Sequence, residues 1–256
     1  MVRGAVVFDL FGTLTVDQTR TERHSRQAAA ADTLGAPLPE FVLALRESFT
    51  ARAAGLWGTP AESLLAICHG LGIAPSPAAV DAAVRQREDA ERLLARPRPG
   101  TLDVLTALHV AGVRTGVLSD CTGELVTVWP ELPYAALVTA SVFSCDVGVR
   151  KPDPRMYEEI CRALSVEPST VIYVGDGGSQ ELTGARAAGM RAVMLRNTRH
   201  ADTADDLRYD ADTTWDGERV DSMTGLAALL RDDGSSQRNE TRPTENGRKG
   251  TSAGSD

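Results

Sequence analysis

Four polar residues stand where apolar runs stop. Asp9 follows VVF, Ser119 closes VRTGVLS (113–119), Lys151 lies in the loop after ALVTASVFS (136–144), and Asp176 closes TVIYVGD (170–176). Singly, each has an ordinary structural reading. An Asp before Gly-Thr forms a turn, a Ser caps a helix, a Lys is a solvated charge, and Asp-Gly-Gly is a flexible turn. Together they make a carboxylate nucleophile, a hydroxyl donor, a fixed cation and a second carboxylate, a set suited to an anionic small-molecule substrate. Asp9 could attack an electrophilic centre while Ser119 and Lys151 stabilise the charge that develops on the transferred group. Asp176 could hold a divalent cation with Asp9. Mg²⁺ prefers oxygen ligands and keeps several waters, so two carboxylates and one backbone carbonyl suffice.

The elements that must bring these residues together follow from the apolar pattern. Short β-rich runs, AVMLR (192–196) included, alternate with helix-length segments after residue 100. This predicts βαβ units and a doubly wound parallel sheet, an α/β fold. Ligands of such sheets bind beyond the carboxyl ends of the strands, where the four residues fall. From Asp17 to about Arg96 the pattern is helical and Ala-rich, with Phe41, Leu45, Phe49, Leu64 and Leu65 at three and four spacing. Breaks at Gly35-Ala36-Pro37, Gly58-Thr59-Pro60 and Gly72 to Pro77 divide it into roughly four helices, and Arg96 to Gly100 forms a rigid return linker. The expected organisation is a core of residues 1–15 and 99–231, an inserted helical cap over 16–98, and a disordered tail over 232–256, whose sequence has too little apolar surface to order itself.

Composition narrows the class of partner. A net charge of −8, with no basic stretch, argues against nucleic acid and an anionic membrane surface. No apolar run reaches the length of a membrane span. Cys68, Cys121, Cys145 and Cys161 lack CxxC spacing, which predicts reduced thiols in a cytoplasmic protein rather than a zinc site. His24, His69, His109 and His200 are scattered and read as surface or packing residues.

DLFGTLT at Asp9, VLSD at Ser119, KPDPRMY from Lys151 and VGDGGSQELTGARAAGM from Val174 resemble, in order, the four motifs of the haloacid dehalogenase-like hydrolase superfamily, over about residues 4 to 197. The resemblance implies a Rossmann-like core with a small helical cap and a covalent intermediate on Asp9. It gives Ser119 and Lys151 the transferred group, Asp176 and the backbone carbonyl of Phe11 the metal with Asp9, and Glu181 the support of Lys151 or the metal. Gly12, Thr13, Asp120, Arg46 and Tyr157 are its further substrate-binding positions.

Phe11 departs from the phosphatase pattern. Phosphatases of this superfamily carry a second Asp there, which protonates the leaving alkoxide and later activates water. Dehalogenases place an aromatic residue there, because halide needs no proton. In that reading Lys151, Tyr157 and Arg46 or Arg52 would bind a substrate carboxylate. Those dehalogenases work without metal, however, and resemble Ser-Ser-Asn rather than Asp176-Gly177-Gly178. Schiff-base chemistry from a cap Lys is excluded, since residues 16–98 contain none. The leading expectation is Mg²⁺-dependent hydrolysis of a small phosphorylated metabolite; dehalogenation and a binding protein with a decayed site are the alternatives.

Overall fold

A computed structural model describes residues 4–16, 20–196, 211, 212 and 214–239, with side chains described from 27 in the first helix and up to 232 in the last. Its centre is a six-stranded, all-parallel sheet in the order β3-β2-β1-β4-β5-β6. The strands are β1 (Ala5–Phe8), β2 (Arg114–Ser119), β3 (Ala140–Phe143), β4 (Val171–Gly175), β5 (Arg191–Leu195) and β6 (Glu218–Val220). Strand β1 is buried on both faces. Val6 and Phe8 enter one apolar core with Ile172 and Val174 of β4, while Ala5 and Val7 enter the other with Val171 and Tyr173. This period-two division explains why AVVF is apolar throughout and why helices must cover both sides.

Among the described residues, five helices are inserted after β1, ahead of the helix that leads back into β2: α1 (Arg20–Leu34), α2 (Leu38–Glu47), α3 (Phe49–Ala53), α4 (Pro60–Gly70) and α5 (Pro77–Leu94). They build a third core, in which Ala30, Leu34, Phe41, Leu64, Ile67 and Val80 meet. The sequence suggested about four helices. The extra break is at Ser48, whose hydroxyl donates to the Ala44 carbonyl at 2.6 Å and so bends the run away from one continuous helix. The insertion leaves and returns through a small antiparallel ribbon, with Thr15 opposite Pro97 and Val16 N–H donating to Arg96 at 3.0 Å.

The remaining helices are α6 (Thr101–Val110), α7 (Gly123–Val128), α8 (Ser144–Val147), α9 (Pro154–Leu164), α10 (Glu181–Ala187) and α11 (Met223–Asn239). Two differences from expectation stand out. Strand β6 was not anticipated. Order also continues past 231, because α11, anchored through Leu226 and Leu230 in the core, runs to Asn239; residues 240–256 lie outside the described part. Among the described residues no single helix is long and apolar enough to cross a membrane.

Candidate active site

Strand β1 lies where the strand order changes direction, with β2 on one side and β4 on the other. That is the switch point at which such sheets open a crevice. Asp9 follows β1 directly, its N–H continuing the ladder to the Val174 carbonyl at 2.9 Å. Register then sets the neighbours: Phe8 pairs with both Val117 and Val174, so Ser119 and Asp176 end the flanking strands near Asp9.

Lys151 is the electrostatic hub. Its buried Nζ donates to Asp9 Oδ1 at 2.6 Å and to Glu181 Oε2 at 2.6 Å, with the Leu118 carbonyl at 3.3 Å. Burial alone would favour the neutral amine, but Asp9 and Glu181 hold the ammonium charged, its pKa well above the ordinary lysine range. Burial pushes the Asp9 carboxyl upward and Lys151 opposes the rise. Burial likewise pushes Glu181 up to about 8, helped by the negative charge of Asp9 and against Lys151. Asp9, Asp176 and Glu181 each bring a carboxylate oxygen within 4.8 Å of the others. Lys151 therefore offsets only part of the charge the site would carry with all three ionised.

Three buried oxygens near the ends of β1 and β2, Asp9 Oδ2, Thr13 Oγ1 and Ser119 Oγ, make no well-formed protein hydrogen bond, although the Thr13 hydroxyl is close enough to Asp9 to favour its ionised form. In a folded interior such atoms are rarely left unsatisfied, and here they sit together at the strand ends. The donor set, with hard carboxylate oxygens and an orphaned Asp9 oxygen, fits a divalent cation such as Mg²⁺ beside an anionic group held by the hydroxyls and Lys151.

The loop after β4 is shaped for Glu181. A Cβ on Gly175 would stand 2.2 Å from Glu181 Oε1, so only glycine lets that carboxylate pass. Gly177, at φ +93, turns its N–H onto the same oxygen at 3.0 Å. Ser179 and Gln180 continue the loop at φ 54 and 49.

Several expected contacts are replaced by others. Tyr157 is fully buried in the core and donates its hydroxyl to the Glu181 backbone carbonyl at 2.9 Å, so it supports α10 instead of binding substrate. Asp120 accepts from Lys151 N–H at 3.0 Å and lies 3.3 Å from Arg150 Nε, so it braces the Lys151 loop. Arg46 is exposed on α2. Arg52 is buried, bonded to Ser48 Oγ and the Leu45 carbonyl, and close enough to Glu124 of α7 to favour its ionised form. Phe11 packs half-buried against the core, and Gly12 N–H donates to Thr15 Oγ1 at 3.1 Å to close the turn beneath Asp9. The side chain of His24 and all of His200 lie outside the described residues; His69 and His109 are exposed.

Sequence reasoning missed three residues. Tyr173 donates to Glu181 Oε2 at 2.8 Å; its signal was a single hydroxyl in an otherwise apolar strand, one pleat before Gly175. Arg150 joins three segments around the site. Asp212 accepts from Leu182 N–H at 2.8 Å and fastens the start of α10, and it lies in no recognisable motif.

Comparison with known proteins accords with this geometry. The model of the haloacid dehalogenase-like hydrolase family matches residues 4–189. The chain belongs to this family. The hydrolase is 31% identical over 135 residues to a glyceraldehyde 3-phosphate phosphatase of Methanopyrus kandleri, covering 52% of this chain and 57% of the relative. It thus spans about half the length of the first curated relatives it matches. It is also 27% identical over 198 residues to (S)-2-haloacid dehalogenase 1 of a Pseudomonas species, covering 75% of this chain and 83% of that one. In fold, the hydrolase superposes on the L-2-haloacid dehalogenase of Xanthobacter autotrophicus with a TM-score of 0.61 at 20% identity, over 90% of this chain and 99% of that one.

Proposed function

We propose that this hydrolase is a Mg²⁺-dependent phosphatase of a small phosphorylated metabolite, with the inserted helices acting as a cap. The observation that carries the reading is the gathering of the Asp9, Asp176 and Glu181 carboxylates within reach of one another, with a single Lys paired to Asp9 and Glu181, which leaves room for a divalent charge. The similarity to glyceraldehyde 3-phosphate phosphatases supports it. Asp9, Asp176 and the Phe11 carbonyl would hold Mg²⁺, which when bound neutralises phosphate charge and so lowers the barrier to attack by an anion. Asp9 attacks phosphorus; the bond to the ester oxygen breaks, and an aspartyl phosphate forms. Thr13, Ser119 and the Lys151 ammonium hold the oxygens of the transferred group, and Glu181 holds Lys151 in place. Water then cleaves the acyl phosphate, releasing inorganic phosphate and restoring the Asp9 carboxylate. Phe11 has no proton to give, so the departing alkoxide takes one from water, and leaving groups that need little protonation react best.

Dehalogenation is the second reading, favoured by Phe11 and by the similarity to a haloacid dehalogenase along most of both chains. Hydrolysis of an aryl phosphate and of 2-chloropropionate, each with Mg²⁺ and with EDTA, separates the two. EDTA-sensitive phosphate release is the expected result. Chloride release indifferent to EDTA would make the enzyme a dehalogenase, and silence in both assays would reduce the site to a binding one.

A further inference from the structure

Arg150 immediately precedes Lys151, and its side chain, only 13% exposed, meets three separate parts of the molecule. Nη1 donates to Thr50 Oγ1 of α3 at 3.0 Å, and the guanidinium carbon lies 5.1 Å from the centre of the Phe49 ring on the same helix. Nη2 donates to Ser179 Oγ at 3.2 Å, in the loop that carries Asp176 and leads into Glu181. Nε lies 3.3 Å from Asp120 Oδ2, while the other Asp120 oxygen accepts the Lys151 backbone N–H.

Each of those segments needs outside support. Helix α3 has five residues, too few to be stable alone. Ser179 sits in left-handed backbone at φ 54, a conformation that a non-glycine residue holds only when its surroundings over-determine it. Asp120 has only the Lys151 charge and backbone N–H besides Arg150 to offset its own charge. One planar guanidinium answers all three, with its two Nη donors fixed in a fork toward Thr50 and Ser179 and its charge beside Asp120; a lysine ammonium on a flexible stem has no such geometry.

We infer that Arg150 is a positioning residue that couples the seating of α3, and with it the cap, to the loops presenting Lys151, Asp176 and Glu181. The inference rests on the site being the one that turns over substrate, but not on which bond is cleaved. Closure of the cap over the strand ends then sets the geometry of the Ser179 loop, and removing Arg150 loosens cap and loop together.

Amide hydrogen exchange of the full chain tests this without choosing a substrate. In Arg150→Gln, exchange should accelerate roughly tenfold or more at residues 49–58 and at 176–181, with α9 unchanged. Arg150→Lys should recover only part of the protection at either segment. Adding Ser179→Gly to Arg150→Gln should restore protection at 176–181 alone, since glycine adopts the left-handed conformation without help. Acceleration at only one segment, or uniform acceleration through α9, would overturn the coupling. Should Arg150→Gln fail to fold, Thr50→Val removes the cap side of the contact alone; faster exchange at both segments supports the inference, and no change at 176–181 overturns it. A protein that proves to cleave carbon–halogen bonds would leave these exchange results standing, so the two readings fail separately.

Discussion

The two oxygens of Asp9 live in different surroundings: Oδ1 is bound by Lys151, whereas Oδ2 is buried without a well-formed protein hydrogen bond. Asp9→Asn keeps the shape and an oxygen for Lys151 but removes the nucleophile, so turnover should fall on the order of 10⁴-fold or more, while circular dichroism and the thermal midpoint show a folded protein. Retained turnover would mean that another group attacks. Phe11 invites the opposite experiment. In the phosphatase reading, Phe11→Asp supplies the missing proton donor and should raise turnover of an alkyl phosphate by about 10²-fold, and of an aryl phosphate by much less; equal gains on both would show that leaving-group protonation is not what limits the enzyme. Asp9, Ser119 and Asp176 were legible in the sequence because each ends an apolar run that had to be a strand. Tyr173 and Arg150 were not, since their partners lie at Glu181 and at Thr50 and Ser179, and no pattern along the chain encodes those distances. Tyr157 and Asp120 occupy motif positions, but the motif does not say that the Tyr157 hydroxyl holds the Glu181 backbone carbonyl or that Asp120 accepts the Lys151 N–H; packing sets both.

Among the elements, the loop between β4 and α10 is the most tightly specified. A methyl at Gly175 would collide with Glu181 Oε1, which also receives Gly177 N–H. Gly175→Ala should therefore displace Glu181 from Lys151, cost about 2 kcal/mol as an overpacked core substitution does, and lower turnover together with the urea midpoint. An unchanged midpoint would mean that Glu181 can be accommodated elsewhere. The five strands found by pattern were short β-rich runs bounded by turns, continuous in β1 and interrupted by Arg114, Thr115, Gly116 and Ser141 in β2 and β3. Strand β6 escaped because it is a three-residue edge strand with Glu218 and Arg219 exposed, so neither alternation nor an apolar run marked it. Helix breaks at Gly and Pro were equally plain, whereas the one at Ser48 comes from a side chain competing for a helix carbonyl, a choice that packing decides.

At the scale of the molecule, the question is how the insertion, with a core of its own, stays seated on the sheet. Besides the ribbon at Thr15 and Pro97, the seam holds a buried ion pair between Arg87 of α5 and Glu124 of α7, only 11% and 3% exposed at their side chains. Burial would raise the Glu124 pKa, but Arg87, the Thr122 hydroxyl and the nearby Arg52 lower it to about 2. A carboxylate depressed on folding adds stability that is fully present above the ordinary carboxylate range and is lost as pH falls through that range toward the folded pKa. Here the window runs from about 4.5 down to about 2, and a shift of this size corresponds to on the order of 3 kcal/mol. Glu124→Gln keeps the volume and removes the titrating charge. Urea unfolding should show the variant less stable than the parent at pH 7, with the difference shrinking by roughly half or more at pH 3 as the parent's carboxylate protonates in the unfolded chain. A difference that stays constant with pH would mean that the pair acts through packing alone, and that the seam between insertion and core is held by shape instead of charge.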